Sequence, residues 1–282
     1  FGDASIQPED RQHIVDAIKH IIGLGLPDCD RQLGWSLREI LDDDVPLDLV
    51  ELVRDRVFAT TDPVEECSNT KCFTYEHFYS DRLRNTGINT SRGSLIELLG
   101  HLLSYDTDGA RTAVVAPSLL YFAKDPNLGV RACVAYVISS CFLHDRDSAY
   151  KAFAKLVDCQ DDLFVSPSVL KLIARIGSSD LEIVVPIIYR MLSSSVSEVR
   201  NAGGRLAAFA GLKWDCPELL EYALEGDVDI RTGIAIVCSE LAGEAEDSDL
   251  EFRTLCKLID DDDDEVCKVA SQFVDYLPGK DI

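Results

Sequence analysis

The chain has 282 residues, 46% of them hydrophobic and 27% charged, and this balance of apolar and charged residues excludes an intrinsically disordered polypeptide. Asp and Glu total 50 against 27 Lys and Arg, for a formal net charge of −23 and a pI near 4.4. Such a field repels nucleic acid and anionic lipid unless a local basic patch overrides it, and the sequence has no such patch. No apolar run approaches the roughly 20 residues of a membrane-spanning helix, so no membrane association is expected.

Residues 1–88 are read as an irregular N-terminal helical cap. IQPEDRQHIVDAIKHIIGLGLP has the spacing of an amphipathic helix, and WSLREIL and PLDLVELVRDRVFA follow as two more across the acidic turn Asp42-Asp43-Asp44. Residues 60–89 are weakly patterned and carry cysteines, which predicts a long loop at the boundary of the cap.

From residue 89 to 282 a repeat emerges. A short polar loop, a helix-start signal, a basic residue and an apolar helical stripe recur six times, anchored at Arg92, Arg131, Ser168, Arg200, Arg231 and Lys268. The steps are 39, 37, 32, 31 and 37 residues, the period of a two-helix unit. Partner helices are predicted at 115–125, 149–159, 181–192, 217–226 and 249–260. Pro117 and Pro217 fall near helix starts, where a missing N–H is harmless, and Pro126 lies in a loop. Pro186 stands inside an apolar run and predicts a kink or a late start. Alternation of period two is almost absent, so the expected fold is all-α: a right-handed α-α superhelix of about six helix pairs. Gly203, Gly204, Ala207 and Ala208, with Ala132, Ala135, Gly233 and Ala235, are expected to let helices approach closely.

No phosphate-binding glycine loop, nucleophile elbow or H-E-x-x-H motif is present, and the expected role is non-catalytic, with no cofactor. The ten cysteines fall mostly in apolar helical runs, a usage that predicts free thiols in a reducing cytoplasm. One weak zinc candidate exists, Cys67-x4-Cys72-x4-His77, whose spacing is looser than that of common structural zinc sites. Its competing reading is two thiols beside the aromatics Phe73, Tyr75, Phe78 and Tyr79. Cys141-x2-His144 is a weaker pairing.

Arg92, Arg131, Arg200 and Arg231 have two readings. They could form a ladder that grips an acidic ligand, but the acidic loops nearby already supply partners such as Asp125, Glu198 and Asp229, which favours structural links between repeats. Acidity concentrates between Glu225 and Glu265, around the run Asp260, Asp261, Asp262, Asp263 and Asp264. A solvated turn that favours the next helix N-terminus is the first reading, and a docking strip for a basic protein is the second. Calcium ranks third, because the run lacks the alternation, glycine and distal glutamate of an EF-hand loop. Trp35, Tyr75, Tyr79 and Trp214 are candidate partner anchors, with helix-junction packing the competing reading for both tryptophans.

Asp125-Pro126…Val130-Arg131-Ala132 and its echo Val199-Arg200-Asn201-Ala202 resemble the HEAT-like class of α-solenoids. More narrowly, Asn89-Thr90-Ser91-Arg92-Gly93 leading into SLIELLGHLL, followed by DPNLGVRACVAYVI, resembles the C-terminal helical-repeat region of bacterial STAND-class, NLR-like antiviral ATPases; Ser91 departs from the aliphatic residue expected there. That resemblance implies a sensor that binds a phage structural or DNA-packaging protein, with oligomerisation through domains outside this chain. The opening at Phe1 and the single methionine, Met191, agree with a fragment of a larger protein. The competing expectation is a generic scaffold or adaptor for a basic intracellular protein. An enzyme on a helical-repeat fold, such as a DNA glycosylase, is disfavoured by the charge.

Overall fold

The computed structural model describes residues 8–37, 45–63, 81–242 and 249–276, whose regular structure is entirely helical, with no strand among them. In chain order the helices are α1 (Pro8–Leu24), α2 (Pro27–Ser36), α3 (Leu47–Ala59), α4 (Arg82–Ile88), α5 (Ser91–Ser104), α6 (Ala110–Val115), α7 (Leu119–Phe122), α8 (Leu128–Cys141) and α9 (Arg146–Leu156). Then follow α10 (Pro167–Gly177), α11 (Leu181–Leu192), α12 (Ser197–Lys213), α13 (Pro217–Leu224), α14 (Val228–Ala242), α15 (Asp249–Ile259) and α16 (Asp264–Ser271). Three 3-10 turns, Ala116–Ser118, Asp161–Val165 and Gln272–Tyr276, complete the set.

The helix starts are chemically marked. Thr90, Asn127, Asp145 and Asp263 each cap the following helix by accepting a hydrogen bond from a first-turn N–H, while Pro27 and Pro217 occupy first turns where no donor is needed. The helices expected at 181–192, 217–226 and 249–260 match α11, α13 and α15 within two residues. Three expectations are corrected. Residues 82–88 are not loop: Asp81 caps α4 by accepting from Arg84 N, and α4 buries Leu83, Gly87 and Ile88. The helix expected over 115–125 is split by the 3-10 turn holding Pro117. Pro186 does not delay α11, which begins five residues earlier at Leu181 and runs on past it.

The chain divides into two compact units, 1–169 and 170–282. In the first, α5 packs against α2 on one side and α8 on the other, with α3 lying on α5 and α9 on α8. Its core is aliphatic: Leu95, Ile96, Leu98, Leu99 and Leu102 of α5 are fully buried, together with Phe122, Phe153 and Phe164. In the second, α12, α14 and α16 touch in succession to form one layer, and α11, α13 and α15 pack on it. In both units the apolar faces of the helices are buried against neighbouring helices.

Glycine sets the closest approaches. A Cβ on Gly204 of α12 would lie 2.2 Å from the Ile230 carbonyl oxygen, and one on Gly233 of α14 would lie 2.1 Å from that of Asn201. The α4–α8 contact has the same construction, with Gly87 against the backbone of Gly129. Among the described residues no helix is long and apolar enough to cross a membrane.

Candidate functional site

The four singled-out arginines sit at the starts of α5, α8, α12 and α14, and all four are engaged. In the first unit, Arg92 grips Asp125 through two hydrogen bonds, Nε to Oδ2 at 2.5 Å and Nη2 to Oδ1 at 3.0 Å. Asp125 precedes α8, so this fork ties the start of one layer helix to the loop before the next. In the second unit, Arg231 of α14 reaches Asp261, before α16, at 2.7 and 3.0 Å. Arg200 of α12 pairs with Asp229 and lies 2.6 Å from Asp227, both at the start of α14. Arg131 differs: its Nε donates to the Asp125 carbonyl at 2.6 Å and its Nη1 approaches the carbonyls of Leu156 and Asp158 at 3.4 Å. The expected partners are thereby refined. Arg200 uses Asp227 and Asp229 rather than Glu198, and the Asp125 carboxylate belongs to Arg92.

These links are oriented forward along the chain, separated by 33, 29 and 30 residues. Planar, two-pronged guanidinium–carboxylate contacts fix angle as well as distance, so they set the spacing of adjacent helices. The Arg231 guanidinium holds the Asp261 carboxyl below the ordinary carboxylate range. With these guanidinium groups committed, the ladder does not present free cations to an acidic ligand.

The aspartate run divides by role. Asp261 is tied to Arg231 and also accepts from Asp263 N, while Asp263 caps α16 through Glu265 N. Asp260, Asp262, Asp264 and Glu265 are exposed. The turn is structural on one side and a solvent-facing anionic strip on the other. Beside it lies an open cleft of about 430 Å³, lined by Glu221, Leu224, Glu225, Arg231, Lys257, Leu258 and Asp261.

Trp214 is half-buried and packs within the second unit. Its ring lies against Gly177, where a Cβ would come within 2.6 Å, and it stacks on Phe209 with ring centres 6.3 Å apart. Trp35 belongs to α2, and its side chain lies outside the described residues. So do Tyr75, Tyr79 and the zinc candidates Cys67, Cys72 and His77. Among the described residues no three His, Cys, Asp or Glu side chains converge to hold a metal ion. Of the Cys141–His144 pairing, the Cys141 thiol is buried and pushed up to about 12, and His144 Nε2 lies 2.7 Å from the Asp106 carbonyl oxygen. The eight described cysteines are unbridged.

Sequence reasoning missed a buried ion pair and two aromatic pairs. Arg84 of α4 forks onto Glu97 of α5 at 2.6 and 2.5 Å, with Glu97 fully buried, and its guanidinium lies 5.6 Å from the Tyr136 ring centre. Phe58 meets Tyr121 at 4.7 Å in the first unit, and Tyr189 meets Tyr222 at 5.1 Å in the second. The only sequence signal for Arg84 was Asp81 followed by a helical spacing of apolar residues; the aromatic pairs join residues too far apart in sequence for periodicity to connect. No protein-family model matches this chain, and no curated protein matches it.

Proposed function

We propose that this chain is a non-catalytic protein-recognition array of HEAT-like helix pairs wound as a right-handed solenoid, and that it binds a basic protein. The observation that supports this reading most is the repeated forward link, Arg92 to Asp125, Arg200 to Asp229 and Arg231 to Asp261. Each link neutralises an arginine at a helix start, and in the second unit the turns that carry the links also hold the exposed carboxylates Glu225, Asp260 and Asp262. A stack built this way offers extended anionic surface, and complementary charge steers encounter with a basic partner. The resemblance of Asn89-Thr90-Ser91-Arg92-Gly93 with SLIELLGHLL, and of DPNLGVRACVAYVI, to the sensor repeats of STAND-class antiviral ATPases narrows the reading to a ligand-sensing region for a phage structural or DNA-packaging protein.

The test is affinity capture with the full chain from phage-infected and uninfected bacterial lysates, identified by mass spectrometry. Enrichment of one basic phage protein only after infection is the expected result. Enrichment of the same host protein from both lysates would replace the sensor reading with that of an adaptor. No retained protein in either lysate would overturn the recognition reading.

A further inference from the structure

Helix α11, LEIVVPIIYRML, carries more apolar surface than its packing uses. Val184, Ile188, Met191 and Leu192 are buried against the unit, yet Ile183 is 40% exposed and Tyr189 38%. Glu182, Pro186 and Tyr189 follow one another at helical spacing, and all three are exposed. On α13, Tyr222 is 55% exposed, and its ring meets that of Tyr189 edge-on, 5.1 Å between centres and 73° between planes. The pair thus joins two outer helices at their solvent side, where a helix covered only by water is ordinarily polar.

Carboxylates flank Tyr222 along the chain. Glu218 precedes it by four residues on the same stripe of α13, Glu225 follows it by three as the helix C-cap, and Glu221 lies on the adjoining face toward the cleft; all three are exposed. Glu221 and Glu225 also line the adjoining cleft with Asp261. None of Glu182, Glu218, Glu221 and Glu225 is held in an ion pair among the described residues, in contrast to the aspartates of the ladder. Arg190, the sole basic residue of α11, is half-buried.

We propose that Tyr189 and Tyr222, with Glu218, Glu221 and Glu225 flanking Tyr222 along the chain, dock an arginine-bearing segment of the protein partner. A guanidinium is planar, stacks on aromatic faces and forks onto carboxylates, so one side chain uses both halves of the site. Apolar neighbours of that arginine cover Ile183 and Pro186. The proposal rests on the recognition reading and adds the surface and the partner's chemistry. The exposed Phe58–Tyr121 pair of the first unit lacks this setting: the neighbouring Asp55 is paired with Arg54.

The probe is a fluorescein-labelled 12-residue peptide alternating arginine with leucine and alanine, beside a twin with citrulline for arginine, titrated into the full chain by anisotropy. The arginine peptide is expected to bind and its uncharged twin to bind at least tenfold more weakly. Y189A/Y222A should lower affinity by about tenfold or more, as loss of paired aromatic anchors does. E218Q/E221Q/E225Q, a change confined to exposed side chains and so neutral for folding, should weaken binding and flatten its salt dependence. Y121A should change nothing. Equal binding by wild type and Y189A/Y222A, equal loss in Y121A, or no peptide binding would each overturn the proposal. With lysates, a protein retained equally by wild type and Y189A/Y222A would remove this surface and leave the recognition reading standing; no retained protein would remove both.

Discussion

Gly204→Ala sets two physical effects against each other with opposite signs. Helix propensity favours alanine by about 0.8–1 kcal/mol in a helix interior, and Gly204 lies mid-helix in α12. Sterics oppose it, because the new Cβ would sit 2.2 Å from the Ile230 carbonyl oxygen, about 0.8 Å inside the closest approach that real Cβ atoms show. The obstacle is backbone, so α12 and α14 must separate. A radial gap of about 0.5–1 Å forfeits roughly a quarter to a half of each dispersion contact across the interface. Overpacking costs about 1–3 kcal/mol or more, and a clash with rigid backbone belongs at about 3 kcal/mol, which outweighs the propensity gain and leaves a net loss of about 2 kcal/mol. For a chain of this size that corresponds to a fall of roughly 4–8 °C in melting temperature. Gly233→Ala, whose Cβ would meet the Asn201 carbonyl at 2.1 Å, should behave alike. Gly23→Ala in α1 is the control: nothing lies within 4 Å, so propensity acts alone and the melting temperature should rise by a degree or more. The assay is thermal unfolding by circular dichroism. A rise for Gly204→Ala equal to that for Gly23→Ala would refute the close backbone approach.

Asp261→Asn removes the charge from the α14–α16 link and should cost about 2 kcal/mol at pH 7, the range for hydrogen bonds to charged groups. Because the folded carboxyl titrates below its unfolded value, its stabilisation is present above about pH 4 and is lost as pH falls through the folded pKa. Urea unfolding at pH 7 and pH 3 should therefore show the gap between wild type and D261N shrinking at the lower pH. Glu97→Ala leaves Arg84 without its buried partner and should cost about 3 kcal/mol or more, read as a lower urea midpoint. Among the described cysteines, thiol labelling at pH 8 should reach exposed Cys256 first. Burial pushes the Cys141 and Cys238 thiols up to about 12 and raises that of Cys133 well above its ordinary value, so these three should react only on unfolding.

The pattern of loops, basic anchors and apolar stripes located the helices because the same chemistry recurs at each start. Proline or an acid opens α13 and α15, and the apolar stripe ends close to where each helix does. Gly204 and Gly233 were readable as contact points, since small residues in an apolar stripe have few other uses. The reading failed where a helix depends on distant partners. Helix α4 is seven residues long, too short to show a period, and it is fixed by the Asp81 cap and by Arg84 reaching Glu97 across 13 residues. Asp81 also accepts from Ser166 Oγ and Ser168 N, some 85 residues on, a contact no local pattern announces. The forward direction of the arginine links was legible only in part, because several acids stood within reach of each arginine and geometry alone chooses among them. The same holds for α11. Its sequence is apolar enough to be core, and only the placement of α13 shows that Tyr189 is left at the surface beside Tyr222.

The central claim is that this chain recognises a basic protein through an anionic helical array. It is tested most directly by calorimetric titration of the full chain with the purified protein that capture identifies, at about 50 and 150 mM salt. The account predicts a saturable complex at both, weaker at the higher salt because exposed carboxylates are screened within a Debye length of about 8 Å. Affinity that does not change with salt would contradict the electrostatic basis of recognition, and absence of saturable heat at both concentrations would contradict recognition itself.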